Sequence, residues 1–159
     1  MRSPLLERDR QRLAGVHPDL VRVVERARLA VPFIVVEGLR SRERQDRRVA
    51  IGASRTLNSR HLTGHAVDLA YWLDDGDGAP ETGEVRWDWP LYHKIAAAMK
   101  TAAKELETKI VCGADWKRFG VVIQPTIVFV DRNGKMTSKI GPSTAASLEK
   151  SLKTLAAKR

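Results

Sequence analysis

The chain has 159 residues, 43% of them hydrophobic, and a formal net charge of +9. That length suits one ordinary domain able to bury its own core, and no apolar run approaches the ~20 residues needed to cross a bilayer. The single cysteine, Cys112, excludes an internal disulfide and any Cys-x-x-Cys redox or zinc motif.

Met1 to Arg12 is charged and carries no continuous apolar stretch of the signal-peptide kind. The expectation is a chain made in the cytoplasm that acts elsewhere only after release. A balance of +9 favours a polyanionic partner: nucleic acid, an anionic membrane surface or an anionic cell wall. No nucleic-acid motif is present, so a specific nucleic-acid partner is not expected. Residues 1–60 hold 14 Arg and no Lys, whereas residues 91–159 hold 10 Lys and 3 Arg. This points to a compositional break.

Residues 4–14 carry a short helical pattern. Pro18 sits in the first turn of a second helix, whose Leu20, Val23, Val24 and Ala27 recur at helical spacing. Phe33 to Glu37 is a β-branched run and reads as a strand that Gly38 ends. Ser41 is the predicted N-cap of a helix reaching about Ile51, stopped by Gly52. Residues 53–64 read as a loop that delivers His61, and Ala66 to Trp72 as a strand. The Asp, Gly and Pro of residues 74–83 predict an exposed loop. Asp88 opens a long helix with Pro90 in its first turn, and Ile110 to Cys112 is a short strand. Thr126 to Val130 is a dense β run, Asn133-Gly134 signals a hairpin, and Met136 to Ile140 is its return strand. Ser143 opens a terminal helix with Leu148, Leu152 and Leu155 on one face. The class is therefore α+β: a small antiparallel sheet with flanking helices, ending in a β-hairpin and a C-terminal helix.

Chemistry concentrates in Ser59-Arg60-His61-Leu62-Thr63-Gly64-His65-Ala66-Val67-Asp68. A neutral imidazole and a carboxylate are good zinc ligands. On a helix they would stand two turns, about 10 Å, apart; the separation suits a loop that turns at Gly64 into a strand. On that strand Ala66, Asp68 and Ala70 point one way and Val67 and Leu69 the other. Ser59 and Thr63 are placed to orient the two ligands by hydrogen bonds.

This decapeptide resembles the Ser-x-His-x-x-Gly-x-Ala-x-Asp signature of the LAS-type (M15) zinc peptidases. That family includes D-alanyl-D-alanine carboxypeptidases and phage endolysins that cut the L-alanyl-D-glutamate bond of peptidoglycan. Further segments resemble the endolysin branch: Gly15 to Val21, Glu37 to Ser41 with Glu43-Arg44-Gln45, Trp87 to Tyr92, and Gly113 to Phe119. The resemblance spans residues 5–119 and implies a peptidase domain over residues 1–119. It implies one zinc ion held by two histidines and an aspartate, a carboxylate that takes a proton from water, and an arginine for the oxyanion. Arg40 matches that arginine; its alternative role is an ion pair with Glu37 or Glu43. Gln45 and Ser59 are candidates for substrate contact, and Thr63 and His65 for support of the ligands. Peptidoglycan is the implied partner of a monomer, and the cell wall the implied place of action.

The pattern then departs from the family. In the endolysin branch a strand of Asp-x-Pro-His-Phe-Glu type supplies the third zinc ligand and the acidic residue that serves as catalytic base. Counting on from Trp116, its positions fall near Val121 and Gln124, and no histidine follows His93. Asp131, Asp115 and His65 are the candidates for a third ligand. Residues 120–158 instead resemble the C-terminal half of thioredoxin-like proteins, without the redox Cys-x-x-Cys. A second segment, residues 120–159, is therefore expected to pack on the same core, with a junction near residue 119. A peptidase-like wall binder without activity is the alternative function.

Overall fold

The computed structural model describes residues 4–81 and 83–113, together with the strand backbone of residues 126–130. Helix α1 spans Glu7–Arg12 and α2 spans Pro18–Arg28. Strand β1 is Phe33–Glu37, α3 is Arg42–Ala50, and a 3-10 turn covers Arg60–Thr63. Then come β2 (Ala66–Trp72), β3 (Val85–Arg86), α4 (Trp89–Glu105), β4 (Ile110–Cys112) and β5 (Thr126–Val130). The α+β class expected from sequence is what forms. No helix among the described residues is long and apolar enough to cross a membrane. The predicted return strand, the terminal helix and the junction near residue 119 lie outside the described residues.

The sheet is antiparallel throughout, ordered β1-β2-β5-β4, with the two-residue β3 paired to one end of β2. Helices α2 and α4 cover one face. Leu20, Val23, Val24 and Ala27 of α2 and Ile95, Met99 and Ala102 of α4 bury with Val67 and Leu69 of β2 in the main core. Ala70 and Trp72 pack with Ile34 on the opposite face. The alternation read along β2 therefore holds in space. Burial of this set supplies the main stabilising term, at about 25 cal/mol per Å² of apolar surface. Cys112 is buried within the main core, its thiol donating to the Ala96 carbonyl at 3.9 Å.

β1 lies at the sheet edge, where unpaired backbone groups invite association. Helix α1 answers this. Asp9 Oδ1 accepts from the Val35 amide at 3.0 Å, and Arg12 Nη1 donates to the Val35 carbonyl at 2.7 Å. Burial pushes the Asp9 carboxyl above its ordinary range, against the opposing pull of the Val35 amide and of Arg8, Arg28 and Arg12.

The β1–β2 register carries an irregularity between Val35 and Glu37. Val35 pairs with Leu69, yet Glu37 pairs with Asp68. One extra residue on β1 re-aims the strand end. Directly paired residues share a face of the sheet, so Glu37 joins Asp68 and leaves the core side that Phe33 and Val35 occupy.

Candidate metal centre

Three elements bring the site together. The end of β1 supplies Glu37, the 3-10 turn supplies His61, and β2 supplies Asp68. All three are buried, at 6%, 2% and 3% exposure. Ser59 caps the turn, its hydroxyl accepting from the His61 amide at 3.3 Å. Gly64 ends it at φ +69°, and a Cβ there would stand 2.2 Å from the Gly15 carbonyl oxygen. The His17 amide donates to the Gly64 carbonyl at 2.8 Å, which fastens the turn to the start of α2. The Gly64→Ala variant meets backbone and a left-handed φ together. It is expected to lose about 2 kcal/mol or more, a roughly 4–8 °C fall in melting temperature, readable by circular dichroism.

The His61 ring is oriented for ligation. Its Nδ1 lies 2.7 Å from the Gly38 carbonyl oxygen. A carbonyl only accepts, so Nδ1 carries the proton and Nε2 keeps its lone pair. The Nε2 atom is buried without a hydrogen-bond partner, as are Asp68 Oδ1 and Glu37 Oε1. The residues that carry these atoms form the one group of three metal-capable residues among those described, with one ligand atom from each lying within 4.8 Å of the others. His61 Nε2 and Asp68 Oδ1 are 3.4 Å apart. Two ligands of a tetrahedral zinc, each bonding at roughly 2.0–2.1 Å, stand about 3.3 Å apart. One imidazole and two carboxylates suit a divalent cation, and buried polar atoms left without a hydrogen bond fit one better than they fit an empty core.

Arginines crowd the same carboxylates. Arg40 Nη2 hydrogen-bonds Glu37 Oε2 and lies 3.7 Å from Asp68 Oδ2. Arg48 Nη2 reaches Glu37 Oε2 at 3.1 Å, and Arg44 Nε stands 2.9 Å from Oε1 as an ion pair. Burial raises the Glu37 pKa, but the Arg40 hydrogen bond and the charges of Arg40, Arg48 and Arg44 outweigh it. The carboxyl ends below its ordinary range. The ion pair with Glu37 read as the alternative role of Arg40 forms, and the same guanidinium stands beside Asp68.

Gln45 is fully buried. Its Oε1 accepts from Arg40 Nη1 at 2.6 Å, and its Nε2 donates to Ser54 Oγ at 2.8 Å and the Thr56 carbonyl at 2.5 Å. It ties Arg40 to the loop before the turn. Thr63 donates to the Arg60 carbonyl, and its hydroxyl lies 3.0 Å from His65 Nδ1. His65 in turn stands against the His17 ring, with centroids 5.1 Å apart. His65 is therefore not in the group with His61 and Asp68. His17 caps α2, its Nδ1 accepting from the Asp19 amide. Asp115 and Asp131 lie outside the described residues. Glu37 is the residue that reading the sequence missed as a metal candidate. Its signal was faint: a carboxylate just before Gly38, whose carbonyl holds His61.

β5 pairs with β2 and places Ile127 opposite Asp68 and Phe129 opposite Ala66. No residue of Thr126-Ile127-Val128-Phe129-Val130 is a histidine, cysteine or acid. The strand beside the ligand strand therefore brings no metal ligand.

A family model described as phage L-alanyl-D-glutamate peptidase matches residues 1–130. The match extends past residue 119 and takes in β5. The L-alanyl-D-glutamate peptidase of Escherichia phage T5 is 32% identical over 116 residues, covering 69% of this chain and 79% of the relative. The solved structure of the Serratia marcescens L-Ala D-Glu endopeptidase ChiX matches with a TM-score of 0.69 at 39% identity, over 83% of this chain and 92% of that one.

Proposed function

Since the chain belongs to the phage L-alanyl-D-glutamate peptidase family, we propose that it hydrolyses the L-alanyl–D-glutamate bond of peptidoglycan stem peptides with the help of one zinc ion. The observation that carries this reading is the convergence of three buried metal-capable side chains, Glu37, His61 and Asp68. Bound there, zinc supplies Lewis acidity toward the scissile carbonyl and toward the attacking water.

The chain's own residues do the rest. The Gly38 carbonyl fixes the tautomer of His61, and the Ser59 hydroxyl fixes its backbone. Arg40 keeps Nε without a hydrogen-bond partner while Gln45 and Glu37 hold its two terminal nitrogens. That pinned guanidinium is suited to meet the oxyanion that forms at the carbonyl. Gln45 serves by holding Arg40, Ser59 by capping the turn, and Thr63 and His65 by bracing the turn's far end. The protein works as a monomer on the cell wall after release, its positive charge favouring anionic wall or membrane surfaces.

A second reading is a wall binder without hydrolytic activity. One observation favours it: β5 presents neither histidine nor acid beside Asp68. One experiment separates the two. Purified sacculi incubated with the protein should release soluble peptides with new amino termini, and a chelator should stop the release while added zinc restores it. Sacculi that retain the protein but yield no chelator-sensitive peptide would establish the wall-binding reading instead.

A further inference from the structure

Glu37 has two sets of suitors. Its carboxylate belongs to the metal-capable group, yet it is also the counter-ion of Arg40, Arg44 and Arg48. Two carboxylates, Glu37 and the Asp68 beside Arg40, face three guanidinium groups, so the cluster has a surplus of positive charge before any ligand arrives. Arg44 and Arg48 stand one helical turn apart on α3, a spacing that puts both side chains on one face. Their side chains are 60% and 32% exposed, whereas Glu37 and Arg40 are buried at 6% and 5%. The cluster therefore runs from the buried centre to the surface.

Three arginines and a divalent cation would take all four lone-pair sites of the carboxylate and share its single negative charge. Charge drawn by a cation is lost to the guanidiniums. These then seek another anion, and planar forked donors match a carboxylate in shape as well as charge. A glutamyl residue joined into a chain through one carboxyl keeps the other free, so the substrate class proposed above carries the required group.

We propose that Glu37 couples two sites: its engagement by a divalent cation frees Arg44 and Arg48 to bind a carboxylate of an acidic peptide, and binding at either site strengthens the other. This rests on the metal reading of Glu37, His61 and Asp68. The arrangement makes cation and substrate arrive as partners. Without the cation Glu37 occupies the arginines and the anion site is closed; with it the site opens at the exposed end of the cluster. Coupling of this kind is reciprocal by thermodynamic necessity.

Isothermal titration tests it with zinc and with glutarate, a plain dicarboxylate, as probes. Glutarate affinity should rise by about 10-fold in saturating zinc, and zinc affinity by the same factor in saturating glutarate. In the Arg44→Gln/Arg48→Gln double variant the coupling should vanish while zinc binding persists or tightens, since Glu37 has lost two competitors. Arg44 is largely exposed, and a thermal melt checks that the variant is folded. Zinc binding with no effect of glutarate would overturn the coupling and leave the metal reading standing. Coupling that survives in the double variant would place glutarate on the ion itself and also overturn it. No zinc binding to the parent protein would overturn the metal reading, and the coupling with it.

Discussion

The His61→Ala variant is expected to bind zinc at least about 100-fold more weakly than the parent protein and to release no measurable peptide from sacculi. Losing a group that merely orients a ligand already costs 10–100-fold in affinity or activity, and His61 is the one nitrogen donor of the group. The variant also leaves the Gly38 carbonyl without its imidazole partner and opens space in a site that was 2% exposed. A structural cost of about 1–3 kcal/mol follows from the unmet carbonyl, too little to unfold an ordinary domain. Calorimetric zinc titration beside a far-ultraviolet circular dichroism spectrum separates lost ligation from lost fold. Zinc affinity within a few-fold of the parent protein would remove His61 from the metal centre.

Arg40→Ala is expected to be the most destabilising single change at the site. Arg40 is 6% exposed and touches Glu37, Asp68 and Gln45 at once. Breaking a buried ion pair from one side costs about 3–5 kcal/mol, because the abandoned charge stays buried. The lower end applies here, as Arg48 and Arg44 remain near Glu37. A loss of about 3 kcal/mol lowers the melting temperature by roughly 6–12 °C in a protein of this size. The sign of the pH dependence follows from Glu37. Its folded pKa lies below the ordinary 4.5, so its pairing stabilises the fold above that value. That contribution is lost as pH falls through the folded pKa. The gap between parent and variant should therefore be widest near neutral pH and narrow in acid. Parallel melts at neutral and acidic pH read this directly, and a gap that widened in acid would contradict the assignment.

Much of this was legible before any coordinates. β1, β2 and β4 fall where the sequence placed them, β1 because its run is short, rich in β-branched residues and ended by Gly38. His61 and Asp68 were legible because one decapeptide holds the turn, the glycine and the strand alternation together. Glu37 was not legible as their companion. Plain alternation from Phe33 and Val35 turns it toward the core, and only the irregularity before it restores it to the side of Asp68. A bulge depends on the partner strand, which lies about 30 residues away in sequence and leaves no local mark. β3 escaped notice for a simpler reason, since two residues carry no period. Asp88 sits at the start of α4 as expected, but its carboxylate pairs with Arg86 and does not cap the helix.

The strand order β1-β2-β5-β4 has a consequence for how the protein comes to be. The latest described strand in the chain lies inside the sheet, between two strands made before it. During synthesis β2 and β4 must wait with open edges until β5 leaves the ribosome. The closing contacts span up to about 60 residues of sequence, a separation that slows folding because loop-closure entropy comes first and reward after. Folding of the nascent chain is therefore a race between insertion of β5 and pairing of the waiting edges with another chain. The strand that offers the metal nothing is the one that decides whether the strand holding Asp68 ever becomes part of a finished sheet.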